Sequence, residues 1–209
     1  FFAILLQTFL ITMIFSAALS VLIVILAHKK QWFLNHHDLS GVQKFHHHPT
    51  PHIGGLAIFL SFCMGYFLLP DLQGELLPLL LVSAPVFIVG LLEDFSAKIS
   101  PLWRLIVIFI SLGVSFIFLD IGIFSLGFMW MDNLLSYPII GFIFTLIVVG
   151  GAVNALNIVD GCNGLMSGYV VLASVAMSVV SYQLGDTLIL QLSLLLIATI
   201  AGFFLLNFP

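Results

Sequence analysis

The sequence predicts an all-α polytopic membrane protein with about seven transmembrane helices, its N-terminus outside and the loops that carry its candidate site residues cytoplasmic. Three observations carry that prediction. Hydrophobic residues fill 62% of the 209 positions and charged ones only 7%, where ordinary soluble domains carry roughly 25% charged residues. The apolar runs are long and continuous instead of alternating, which selects helices over barrel strands. Threading those runs through a bilayer puts Lys29, Lys30, Lys44, Lys98 and Arg104 on one side, together with all seven histidines. Asp71, Glu75, Asp120, Asp132 and Asp186 fall on the other. The basic side is cytoplasmic by the positive-inside rule. The net charge of −4 adds little, because placement outweighs the sum.

Phe1 to Ala27 reads as the first span. It ends on Lys29-Lys30 and lacks the basic start and small-residue cleavage site of a signal peptide. His28 to His52 is the longest polar segment, after which Thr50-Pro51 supplies an N-cap and N1 pair for a helix to about Leu69. Pro70 to Gly74 turns, and Leu76 to Leu92 returns, with Pro78 and Pro85 expected to kink it. Glu93 to Ser100 reads as a second polar loop, and Ser100-Pro101 opens a helix to Leu119. Asp120 to Tyr137 mixes glycine, aromatics and two acids, as a small interfacial hairpin would. Pro138 to Val153 crosses, short for a span at roughly 16 residues. Leu165 to Tyr182 crosses again, Gly185-Asp186 turns, and Leu188 to Asn207 crosses back. Cys63 lies within an apolar run and Cys162 within a polar stretch, so no disulfide between them is expected. One membrane domain covers 1–209, and both ends read as cut, so a fragment is expected.

The chemistry concentrates in Asn154 to Gly168, where three asparagines, one aspartate and several glycines stand between two apolar runs. Polar groups beside hydrocarbon are costly and mark sites where something binds or reacts. Asn154, Asn157, Asp160 and Asn163 share one face on a helix or tight turn. The threading brings 28–52, 93–100 and 154–164 to the same cytoplasmic face, whose acids are Asp38, Glu93, Asp94 and Asp160. Adjacent acids such as Glu93-Asp94 repel unless a cation or basic partner is near. A helix end salted by Lys98 and Arg104 would satisfy them without any function. With Asp160 added, three carboxylates and the nearby amides form a hard-oxygen site suited to Mg²⁺ and substrate phosphate oxygens. Lys44, His46, His47, His48 and His52 would line the phosphate side. A dedicated zinc site at these histidines lacks the defined four-ligand spacing. Acids, a hard cation and a basic wall at the membrane surface point to phosphoryl transfer on a lipid substrate.

These residues resemble the polyprenyl-phosphate N-acetylhexosamine-1-phosphate transferases, which include phospho-N-acetylmuramoyl-pentapeptide transferase and the O-antigen and common-antigen initiating enzymes. Three motifs match in order. H-P-T-P-H-I-G-G-L (48–56) is similar to the family's Pro-Thr-Pro-Arg-x-Gly-Gly segment. G-L-L-E-D-F (90–95) is similar to its Gly-x-x-Asp-Asp-x segment. N-A-L-N-I-V-D-G-C-N-G-L (154–165) is similar to its long Asn-Ala-x-Asn-x-x-Asp-Gly segment. The resemblance implies transfer of N-acetylhexosamine 1-phosphate from a UDP-sugar to undecaprenyl phosphate, releasing UMP, with Mg²⁺ or Mn²⁺, in a bacterial inner membrane. It implies catalytic roles for Glu93, Asp94 and Asp160, with Asp94 and Asp160 toward the metal. It implies substrate contacts for Lys44, His47, His52, Asn154, Asn157 and Asn163. Glu93 stands where the family usually has Asp, and His52 replaces the usual Arg, losing permanent charge and bidentate phosphate binding. Asn163 in place of Asp resembles the O-antigen-type initiators. The family's Gly-Asp-x-Gly-Ser segment and a later histidine loop have no counterpart here, so the 209 residues alone are expected to be inactive.

A membrane transporter is the alternative from another class. It would place acids near mid-membrane and show repeated halves, whereas the acids cluster at helix ends and no repeat is visible. The expected partners are the bilayer, undecaprenyl phosphate and a UDP-N-acetylhexosamine, with a homodimer admissible and no nucleic acid.

Overall fold

A computed structural model describes residues 2–30, 54–69, 73–96, 100–159 and 164–207. The elements are α1 (Phe2–Lys30), α2 (Gly54–Phe67), α3 (Gln73–Ser96), α4 (Pro101–Leu119), α5 (Met129–Leu135), α6 (Pro138–Val159), α7 (Leu165–Leu184) and α8 (Thr187–Asn207). Six of them, α1, α3, α4, α6, α7 and α8, are long and apolar enough to cross a membrane, while α2 is a shorter apolar helix. The all-α expectation holds among the described residues, and the protein is a multi-pass membrane protein.

The boundaries differ from the sequence reading in an informative way. The segment from Glu93 was expected to be loop, but α3 runs through Glu93 and Asp94 to Ser96. Likewise α6 has 22 residues, not the short run expected after Pro138, and carries Asn154 and Asn157 in its final turns. Continuing the helix satisfies backbone groups that a loop at a bilayer edge would leave exposed. Between Asp120 and Tyr137 there is no hairpin. Asp132 accepts a hydrogen bond from the Leu126 amide at 2.7 Å and sits in the first turn of the short helix α5, where a carboxylate is favoured by the helix dipole.

The chain forms two compact units, Phe1–Gly74 with Val159–Pro209, and Glu75–Ile158. In the first, α1, α2, α7 and α8 pack through small and hydroxylic residues. Lipid tails are as apolar as leucine, so helices associate here by close approach and hydrogen bonds, not by hydrophobic transfer. Thr8, Thr12, Ser16 and Ser20 repeat every fourth position along one buried stripe of α1. The Ser16 hydroxyl donates to the Thr199 carbonyl at 2.6 Å. A Cβ on Gly202 would meet the Met13 carbonyl oxygen and lie 2.9 Å from the Ala17 nitrogen, so α8 touches the α1 backbone there. Gly54 faces Phe203 and Gly65 faces Leu195, which makes α2 antiparallel to α8. The expected turn at Gly185-Asp186 is present. Gly185 is left-handed (φ 72°), and the Asp186 carboxylate caps α8 by accepting from the Ile189 amide at 3.0 Å.

In the second unit, α4 and α6 run antiparallel in a register that three contacts define. Phe116 packs edge-on to Phe142 with ring centroids 5.2 Å apart. A Cβ on Gly150 would lie 2.7 Å from the Phe109 ring and 3.8 Å from Ile108. One turn further along each helix, Arg104 meets Asn154. Thr145 adds a tie to the irregular segment after α4, accepting from the Ile123 amide at 2.9 Å.

Candidate active site

Arg104 is the centre of the candidate site, and its partners among the described residues lie in the second unit. Pro101 occupies the first helical position of α4 behind an extended Ser100 whose side chain makes no capping bond. This places Arg104 in the opening turns of the helix, where the dipole's positive end disfavours a cation. The residue is also buried, at 9% exposure, so its charge needs strong acceptors. It has them. Nη1 donates to both carboxylate oxygens of Glu93, at 3.2 and 3.0 Å. Nη2 donates to Oδ1 of Asn154 at 3.1 Å. With its amide set by the partners it faces, Asn157 directs Oδ1 at the same guanidinium, 2.6 Å from Nη1 and 3.1 Å from Nη2.

Helix geometry explains why these side chains converge. Asn154 and Asn157 are three apart on α6 and share a face. Glu93 and Asp94 are neighbours on α3, so their side chains diverge by about 100° around the axis. Glu93 is turned toward Arg104 and half-buried, whereas Asp94 is exposed. The two acids therefore have different surroundings despite their adjacency. Glu93 belongs to the ion pair with Arg104, and Asp94 stands at an exposed position beside it.

Of the predicted site residues, the structure brings together Glu93, Asn154 and Asn157, with Asp94 next along α3. Asp160, Asn163, Lys44, His47 and His52 lie outside the described residues. Among the described residues no group of three His, Cys, Asp or Glu side chains forms a metal-ligand set. Asp94 offers one hard-oxygen ligand, and Mg²⁺ takes one or two carboxylates with water and phosphate oxygens completing the shell. The donor type therefore fits.

Arg104 itself was read from sequence only as a counter-charge near the acidic helix end. The missed signal is that it is the single arginine of the chain, buried at the wrong end of a helix for its charge. Its place depends on Gly150. A Gly150→Val side chain would collide with Phe109 and push α6 off α4, at a cost of about 1–3 kcal/mol. The expected result is a lowered thermal midpoint in detergent for the full-length protein, and an unchanged midpoint would mean the two helices are not held at this contact.

The family profile of glycosyl transferase family 4 matches residues 76–209. Among curated relatives, the chain is 32% identical over 181 residues to a probable undecaprenyl-phosphate N-acetylglucosaminyl 1-phosphate transferase of Bacillus subtilis, covering 82% of this chain and 48% of the relative. It is 30% identical over 174 residues to the undecaprenyl-phosphate alpha-N-acetylglucosaminyl 1-phosphate transferase of Yersinia pestis, covering 81% and 46%. It is 27% identical over 176 residues to the phospho-N-acetylmuramoyl-pentapeptide-transferase of Streptococcus thermophilus, covering 76% and 51%. The chain thus spans about half the length of the curated relatives it matches. The profile runs from the acid-bearing helix α3 through the asparagine-bearing α6 to the end of α8, and the chain belongs to glycosyl transferase family 4.

Proposed function

We propose that the whole protein transfers N-acetylhexosamine 1-phosphate from a UDP-sugar to undecaprenyl phosphate, releasing UMP, at the cytoplasmic face of a bacterial inner membrane. The observation that carries this reading is the gathering of Glu93, Asn154 and Asn157, from two separate motifs, around Arg104 inside a family 4 chain. The basic residues assigned above to the cytoplasmic side put the N-terminus outside.

In the reaction, an oxygen of the lipid phosphate attacks the sugar-bearing phosphorus of the UDP-sugar. The new P–O bond forms as the bond to the UMP oxygen breaks, and UMP leaves as the dianion. Little covalent chemistry falls to the protein, which positions phosphates and offsets developing charge. Asp94, exposed beside the ion pair, takes a proton from the lipid phosphate or would serve as a ligand to Mg²⁺, a role that motif position assigns to Asp160 as well. When bound, Mg²⁺ supplies electrostatic stabilisation of the phosphate oxygens. Asn154 and Asn157 orient the nucleotide sugar. Asn163, Lys44, His47 and His52 are assigned to the remaining phosphate contacts by motif position.

The test is isotope exchange. Full-length protein in membranes, given UDP-N-acetylglucosamine, Mg²⁺ and undecaprenyl phosphate, should move labelled UMP into the UDP-sugar. It should stop doing so when EDTA removes the metal. No exchange under any UDP-N-acetylhexosamine rules the transferase out in favour of a transporter or a structural subunit.

A further inference from the structure

We infer that Arg104 is a positioning residue of this site, fixing the direction of both α6 amides so that Asn154 and Asn157 present N–H donors to the ligand. The inference rests on the reading above that the ligand carries phosphate. An asparagine side chain offers one acceptor and two donors, and either end can face a given partner. Arginine has donors only. The buried guanidinium takes Oδ1 of Asn154 at 3.1 Å and, with the Asn157 amide oriented so that its oxygen meets a donor, Oδ1 of Asn157 at 2.6 Å, so both NH₂ groups turn the other way. Asn157 is exposed and Asn154 half-buried, so those donors remain within reach of a bound molecule. Phosphate oxygens accept only. An amide free to flip would show them its carbonyl part of the time, and that contact is repulsive.

Glu93 completes the device. Its carboxylate offsets the guanidinium charge through contacts at 3.0 and 3.2 Å, so the donors are held by a pair that is neutral overall. The same contacts tie the last turns of α3 to α6 through α4. Arg104 therefore sets Asp94, one residue beyond Glu93, in a fixed relation to the two amides. A lysine would keep the charge but lacks the planar fork that reaches three acceptors at once.

The test uses full-length protein and a mutant cycle. Arg104→Met/Glu93→Gln removes both charges together and leaves no buried orphan ion. It should insert and fold, yet lose roughly tenfold or more in kcat/KM. Adding Asn154→Ala/Asn157→Ala should cost little more, because Arg104 acts through those amides. Arg104→Lys alone should recover only part of the activity, and it decides the matter if the double variant fails to fold. A rise in KM for UDP-N-acetylglucosamine or for undecaprenyl phosphate tells which phosphate meets the donors, and either supports the inference. Wild-type kcat/KM in the folded double variant overturns it. So do losses that simply multiply with those of the asparagine variant, since a merely structural arginine would give that pattern. Hydrogen exchange keeps the two readings apart. If the wild type transfers no sugar phosphate, the function reading falls alone. Arg104 is then judged by amide exchange over 154–159, where faster exchange in the double variant supports it and unchanged exchange overturns it.

Discussion

Asp94→Asn in the full-length protein should abolish transfer while leaving the fold intact, with kcat falling roughly a hundredfold to ten-thousandfold. The size follows from what the substitution removes. Asparagine keeps the volume but is neither a base nor an anionic ligand for a hard cation. Stability should change less than in a variant that strips a buried charge of its partner, because Asp94 is exposed and asparagine keeps its volume and hydrogen-bonding capacity. Glu93→Gln is the contrasting case. It leaves the buried Arg104 without its charged partner, so its thermal midpoint should drop as its activity does. Measured together by lipid-product formation and thermal unfolding, the pair separates chemistry from scaffolding. An Asp94→Asn enzyme turning over at the wild-type rate would remove Asp94 from the reaction.

Gly202→Val should give the largest loss of stability. Its Cβ would meet the Met13 carbonyl oxygen and the Ala17 nitrogen, and backbone, unlike the tip of a flexible side chain, has little room to yield. The expected destabilisation is about 3 kcal/mol, at the upper end for overpacking, with α8 separating from α1. Thermal unfolding in detergent reads it, and a midpoint within error of wild type would mean that the contact is not made in the membrane.

Much of the fold was legible because hydrocarbon permits so few solutions. Apolar runs near the span length had to be helices, and Gly185-Asp186 had to turn because a glycine followed by the only charged residue after the asparagine motif separates the last two runs. Polar residues next to those runs were legible as a site for the same reason of cost. That is why Glu93, Asp94, Asn154 and Asn157 stood out. Where a helix ends was not legible. Glu93 and Asn157 are polar, and polarity at a bilayer edge reads equally as loop or as the last turn of a helix. Nor does the sequence carry the register between α4 and α6, which comes from the fit of Phe109 into the space above Gly150. Without that register Arg104 has Glu93 as a nearby charge in sequence but no route to asparagines fifty residues away.

The seam between α1 and α8 bears on how the chain is made. Ser16 and Thr199 meet across 183 residues of sequence, and ribosomes add roughly 5–20 residues per second. For roughly ten to forty seconds, then, α1 resides in the membrane before α8, the helix that accepts from its Ser16, has been synthesised. Throughout that wait, the Ser16 hydroxyl lacks its α8 acceptor and must bond back within α1 or to a temporary escort, an insertase or another helix. A photocrosslinker at Ser16, where Gly202 of α8 approaches α1, should catch that escort in arrested short chains and catch α8 in finished ones.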